Sequence, residues 1–167
     1  MNFPIPVTRA DIVQRARSVI GRGLYKLGAG GRVPANATPF DAQYCDCSGF
    51  VAWCCGVDRY QPKTIAGEWI ETSAMVTDAL NVHALFKLIT PCEPGDILVY
   101  GDRHDRGNVT EGHTGIISAV DEAGHPLAAI HCSHGNQRAF GHAVIETGAE
   151  IFTKHAALSV RFVGAVE

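Results

Sequence analysis

Residues 45–56 read CDCSGFVAWCCG, which gathers four of the chain's six cysteines into one short stretch. Three chemistries compete for such a cluster: a metal centre, a disulfide, or one reactive thiol among structural neighbours. Structural zinc takes four ligands, usually as two spaced pairs. Here the spacings are C-x-C and an adjacent C-C, and no second Cys/His pair at standard spacing follows. On a helix, Cys54 and Cys55 stand about 100° apart and do not readily share one metal. Cys45 and Cys47 are too close along the chain to reach disulfide geometry readily. The expectation is therefore no metal at this cluster, with most of the cysteines as buried free thiols acting as small hydrophobes. Cys47 differs. It precedes Ser48-Gly49 and an apolar run, so it falls at a helix N-terminus. Unpaired N–H groups and the positive end of the helix dipole favour a thiolate there and can receive an oxyanion.

A thiol nucleophile needs a base, and the base needs an orienting group. Eight histidines are available. His104 sits in a polar loop and His125 in a turn, while His83 and His155 have no distinguishing context. His113 opens the apolar segment HTGIISAV directly after Gly112, and His131 lies inside LAAIHCS. The connection DEAGHP joins the two segments, so a hairpin brings these histidines together. On pattern alone, a surface histidine at a strand end and a hydrogen-bonded core histidine remain competing readings of the pair.

Such side chains need a scaffold. The 167 residues, 46% hydrophobic and 19% charged, suit one domain spanning 1–167 with a core that needs no staples. A net charge of −3 argues against nucleic acid as a partner. No apolar run reaches about 18 residues, so no membrane span is expected. The first residues, MNFPIPVTRADIVQRARSVIG, lack the apolar core and cleavage site of a Sec signal, which predicts synthesis in the cytoplasm. Thr8, with Asp11 three residues on, predicts a capped helix over 8–21. Residues 25–40, rich in Gly and Pro, read as loop. A short buried helix is predicted from Cys47 to Cys55, closed by Gly56. An amphipathic helix is predicted over 64–80, carrying Ile65, Trp69, Ile70, Ala74, Met75 and Leu80. Beyond residue 84 come short β-branched segments separated by the turn signals PCEPG, DEAGHP and SHGNQ. The polar stretch 101–112 reads as a mobile loop. Helices followed by strands predict an α+β fold with an antiparallel sheet of about 5–6 strands.

The motifs then fall into a known order. YKLGAGG (25–31), DCSGFVAW (46–53), EPGDILVY (93–100), GHTGIIS (112–118) and IHCS (130–133) together resemble the NlpC/P60 family of papain-like cysteine peptidases. The resemblance spans roughly residues 8–135, and DCSGF is its most specific piece. It implies Cys47 as nucleophile, His113 as base and His131 as the orienting residue, with no metal or cofactor. It implies Tyr25, its hydroxyl toward the nucleophile, with Asp46, Ser48 and Gly112 around the substrate. Two departures stand out. The insertion RVPANATPFDAQYC before Asp46 is long for the family. The interval from His113 to His131 also exceeds the common hairpin, leaving His134 and Asn136 as rivals for the third position. His131 is preferred, because His134 is read into a Gly-containing turn.

By the same resemblance the substrate is peptidoglycan or a muropeptide, cut at a peptide or isopeptide bond such as the D-Glu to diamino-acid link. A catalytic domain without a signal resembles phage-associated wall hydrolases and injected amidase effectors. Those settings imply a phage-tail or immunity partner, a monomeric enzyme, and action on the wall after non-classical delivery. The alternatives are a papain-like amidase or acyltransferase on a non-wall substrate, and a non-catalytic thiol or zinc interaction module.

Overall fold

Thr8 starts the first helix, α1 (Arg9–Ser18), by the reciprocal device its spacing predicts: its Oγ1 accepts the Asp11 N–H at 3.1 Å and its own N–H donates to Asp11 Oδ2 at 2.7 Å. The computed structural model describes residues 5–60 and 69–166. After α1 the chain forms β1 (Leu24–Tyr25), makes a long excursion, and returns as β2 (Tyr44–Cys45), which pairs in parallel with β1. Tyr25 thus stands in a strand at the start of what the sequence presents as loop. The excursion is fastened to the helices: Arg15 donates to Pro34 O at 2.6 Å and Trp53 Nε1 donates to Asn36 O at 2.9 Å.

Helix α2 (Cys47–Cys54) follows β2, and every one of its residues is buried. Its C-cap is Cys55, and Gly56 at φ 72° turns the chain away. Helix α3 (Thr72–Thr77) is shorter than the predicted 64–80 element. Residues 64–68, Ile65 included, lie outside the described residues, and Trp69 and Ile70 precede the helix as non-helical chain. Glu71 sets that boundary, since its carboxylate accepts the N–H groups of Ser73 and Ala74 at 3.0 and 2.6 Å. At the other end the chain widens into a π turn, Asp78–Val82. The buried Asp78 carboxylate explains the overrun, because it accepts the N–H groups of Ala84, Leu85 and Phe86.

Strands β3 (Phe86–Leu88) and β4 (Ile97–Tyr100) come next, then a hairpin of β5 (Arg103–Asp105) and β6 (Asn108–Thr110). The predicted 101–112 loop is therefore largely a β-ribbon, closed by Arg106 and Gly107 at φ 48° and 82°. Polar, exposed strands carry no hydrophobic alternation, which is why the pattern hides them. Then follow β7 (His113–Val120), β8 (Pro126–Cys132), helix α4 (His134–Phe140), β9 (Val144–Gly148), the short helix α5 (Glu150–Thr153) and β10 (Leu158–Phe162). The SHGNQ stretch, expected as a turn, is the N-cap and first turn of α4. Ser133 caps it by accepting the Asn136 N–H at 2.9 Å.

Six strands form one antiparallel sheet in the order β3-β10-β4-β7-β8-β9, so the fold is α+β as predicted. Alternation along each strand divides the core. Ile97, Val99, Ile116 and Ile130 meet Phe50, Val51 and Met75 on the face covered by α1 and α2. Leu98, Ile117 and Ala129 meet Phe152 of α5 on the other. Shortening the fully buried Phe50 to alanine costs about 3–5 kcal/mol.

Candidate active site

Cys47 is the first residue of α2, and the residues beside it hold that helix end in place. Asp46 is the N-cap: its Oδ1 accepts the Gly49 N–H at 2.8 Å, and its Oδ2 accepts the Gly28 N–H at 2.7 Å. Arg59 forks onto the same carboxylate, Nη1 to Oδ1 at 2.7 Å and Nη2 to Oδ2 at 3.1 Å. It also donates to Ser48 Oγ at 2.9 Å, Ala29 O at 3.0 Å and Ile70 O at 3.2 Å. The guanidinium is wholly buried, 4.3 Å from the Trp69 ring, which in turn stacks on Tyr60. The loop packs so closely that a Cβ on Gly31, whose φ is 74°, would run into the Gly49 backbone.

Asp46 and Ser48, expected around the substrate, are thus buried with their side-chain oxygens committed inward, although both residues border the groove. Their side chains build the frame of the nucleophile helix. Arg59 is the residue that the motif reading misses. It lies in the largely polar stretch VDRYQP, and nothing local announces that it will be buried against Asp46.

The histidines meet through strand register. Ile116 faces Ile130 across β7 and β8, so His131 stands opposite Gly115, and His113, two residues earlier, shares its face. Gly115 makes this approach feasible, because a Cβ there would sit 2.9 Å from both His131 Cβ and the Phe152 ring. His113 Nε2 and His131 Nδ1 are 2.8 Å apart. One strand further, Ala129 faces Thr147, which puts Thr147 on the same face, and His131 Nε2 lies 2.9 Å from Thr147 Oγ1. Phe152 stacks on the His113 ring at 5.1 Å, with 8° between the planes.

The rivals for the third position part company here. His134 begins α4 and lies beside Tyr25, with ring centroids 6.2 Å apart. Asn136 points its amide nitrogen at His131 O and Ala143 O, both at 3.1 Å, and comes within 3.4 Å of His131 Nδ1. His131 is the residue in hydrogen-bond contact with His113.

Burial, followed by the neighbouring Asp46 carboxylate, pushes the Cys47 thiol up to about 12. The Thr114 N–H, Arg59 and the Ser48 N–H pull the other way with less effect. The thiolate expected from a helix N-terminus is therefore not the resting form; removing sulfur from water outweighs the helix field. Contact with the Thr114 N–H puts the thiol beside the start of β7. Burial, then His131 and His155, lower His113 to about 3, and burial lowers His131 to about 4. Burial and the neighbouring Cys47 and Asp46 raise the Tyr25 phenol, which keeps its proton and can donate.

A groove of about 670 Å³ opens over Cys47, walled by Tyr25, Leu27, Trp69, Glu71 and Glu111. Gly112 and Tyr25 join it to a second recess of about 440 Å³ reaching His113, His131 and His134. The Gly112 N–H donates to Asp102 Oδ1 at 2.6 Å, which ties the β5–β6 ribbon to the rim. All six cysteines are free thiols. Among the described residues, no group of three or more His, Cys, Asp or Glu side chains is placed to hold a metal ion.

A family model for the CHAP domain matches residues 37–136, more than half of the chain. CHAP domains form a cysteine peptidase and amidase family related to NlpC/P60 and directed at peptidoglycan, so the resemblance read from the motifs leads to the right group. The matched span contains Cys47, His113 and His131, and leaves Tyr25 and Thr147 outside it. Among curated proteins, none matches the chain.

Proposed function

The chain belongs to the CHAP domain family, and on that premise we propose that it hydrolyses peptide or isopeptide bonds of peptidoglycan stem peptides through a Cys47 acyl-enzyme. The observation that carries this reading is the 2.8 Å contact between His113 Nε2 and His131 Nδ1, in a recess that adjoins the groove over a cysteine at the first position of a buried helix. The contact occupies one nitrogen of His113 and leaves Nδ1 for the thiol.

Because both partners rest uncharged, attack and proton transfer run together. Sγ adds to the substrate carbonyl carbon as its proton passes to His113 Nδ1. The tetrahedral oxyanion takes hydrogen bonds from the Cys47 N–H and the Tyr25 hydroxyl. Collapse breaks the C–N bond, and the departing nitrogen collects the proton from His113, leaving a thioester on Cys47. Water then attacks the thioester with His113 as base, which releases the acid and restores the thiol. Asp46, Ser48 and Arg59 hold the helix end on which the sulfur rides.

Digestion of defined muropeptides, read by mass spectrometry, tests the proposal. Cleavage within the stem peptide, with a new amine and a new carboxylate, is the expected result. Intact stems of every wall chemistry with a reduced, folded protein would reject it.

A further inference from the structure

We propose that Thr147 is a positioning residue which sets the proton order of the two histidines, so that His113 Nδ1 is the free acceptor. This inference rests on the hydrolase reading above and adds to it a residue outside the family match.

One line of hydrogen bonds fixes where each proton sits. Thr147 Oγ1 carries a single hydrogen and has two neighbours, Gly148 O at 3.1 Å and His131 Nε2 at 2.9 Å. A carbonyl oxygen only accepts, so the hydroxyl satisfies that contact by donating to Gly148 O. The hydroxyl oxygen is then the acceptor for His131, which must carry its proton on Nε2. Its Nδ1 is left with a lone pair. That lone pair receives the N–H from His113 Nε2, 2.8 Å away. A neutral His113 with its proton on Nε2 has an unprotonated Nδ1, the state a general base requires.

Asn136 supports the same order from a separate direction. Its side-chain nitrogen faces two carbonyl oxygens, His131 O and Ala143 O, at 3.1 Å each, which identifies it as the NH2 end of the amide. That NH2 lies 3.4 Å from His131 Nδ1. A proton on Nδ1 would oppose donor to donor, whereas a lone pair there is compatible with it. Were the order reversed, Thr147 would donate to His131 Nε2, His131 Nδ1–H would donate to His113 Nε2, and the His113 proton would sit on Nδ1. The base would then present a proton to the thiol.

Strand geometry makes the device stiff. Residues opposite one another on β7, β8 and β9 share a face, and the three side chains form a diagonal across it. Thr147 is β-branched and suits its strand, so Thr147→Val keeps the shape and removes only the hydroxyl.

The test reads the ring nitrogens directly. In 15N-labelled Cys47→Ala protein, which does not turn over, both histidines are expected as Nε2–H tautomers in long-range 1H–15N spectra. Adding Thr147→Val is expected to mix the tautomers, and Thr147→Ser to restore them. With Cys47 intact, Thr147→Val should lower kcat about tenfold at unchanged KM, and Thr147→Ser should recover it. His131 found as the Nδ1–H tautomer, or Thr147→Val with the parent's tautomers and kcat, overturns the proposal. If Thr147→Val does not fold, the tautomers of the parent and of Thr147→Ser decide. The two readings fail separately: inert muropeptides with Nε2–H tautomers reject the hydrolase and leave the proton order standing.

Discussion

Around Cys47 the chain buries an ion pair, Asp46 with Arg59, and wraps it in backbone donors and acceptors. Around His113 it lines up neutral groups, two imidazoles followed by a hydroxyl and a carbonyl, with His131 buried and the rest half-buried. Both halves are well packed, yet they solve different problems. The helix half has to stay still, and a forked charge pair with six polar partners gives one geometry. The sheet half has to move a proton, and a neutral chain lets the direction of each hydrogen bond decide where that proton rests.

The largest effect should come from removing the reacting atoms where the halves meet. Cys47→Ala and His113→Ala should each lower release of new amines from peptidoglycan by on the order of 10⁴-fold or more, because nucleophile and base act as a unit. The thermal midpoint of Cys47→Ala should stay near that of the parent. The next effect separates the halves by stability. Arg59→Met leaves Asp46 buried and unpaired, and urea unfolding should show a loss of about 3–5 kcal/mol. Asp46→Asn added to it should recover part of the loss, which a simple packing defect would not allow.

A smaller effect is expected from His131→Gln, which can still orient the base: about 10–100-fold less activity, against little change for His134→Ala. Greater damage from His134→Ala would move the orienting role to α4. The mildest probe is pH. His113 and His131 sit at about 3 and 4 when folded, against an ordinary 6.5. The unfolded chain therefore binds protons that the folded chain refuses. Their contribution to stability is complete above pH 6.5 and declines as pH falls toward 4. The thermal midpoint should drop across that window, less steeply in His131→Gln. The acid limb of kcat/KM should lie well below 6.5. His155 and Tyr100 are further titratable neighbours of His113, and Tyr100 stays neutral there because burial raises it.

The sequence carries the elements whose signals are local. Thr8 with Asp11 marks α1, the run after Cys47 marks α2, and apolar alternation marks the six sheet strands. It is silent where a long-range partner decides. Arg59 looks like any charged surface residue until Asp46 is folded against it. Thr147 lies in HAVIETG with no motif, and only the register of β9 on β8 brings it to His131. Glu71 and Asp78 move the bounds of α3 by capturing backbone N–H groups, which apolar periodicity does not register. The thiolate expectation for Cys47 fails for a related reason: position on a helix is readable from sequence, and the dryness of the surrounding site is not.

Backbone touches backbone where Gly31 lies against Gly49, and this seam governs how the protein can evolve. At Gly49 any side chain would meet Arg59 at 2.6 Å and the Ala29 carbonyl at 2.8 Å, so a library of substitutions along the seam should return almost only glycine. Immediately beyond it the chain leaves on the excursion to Tyr44, whose far end is pinned by the pairing of β1 with β2. Lengthening a loop between fixed ends is inexpensive, about 0.6 kcal/mol per doubling. The surface next to the nucleophile helix is therefore open to insertion and deletion and closed to point change.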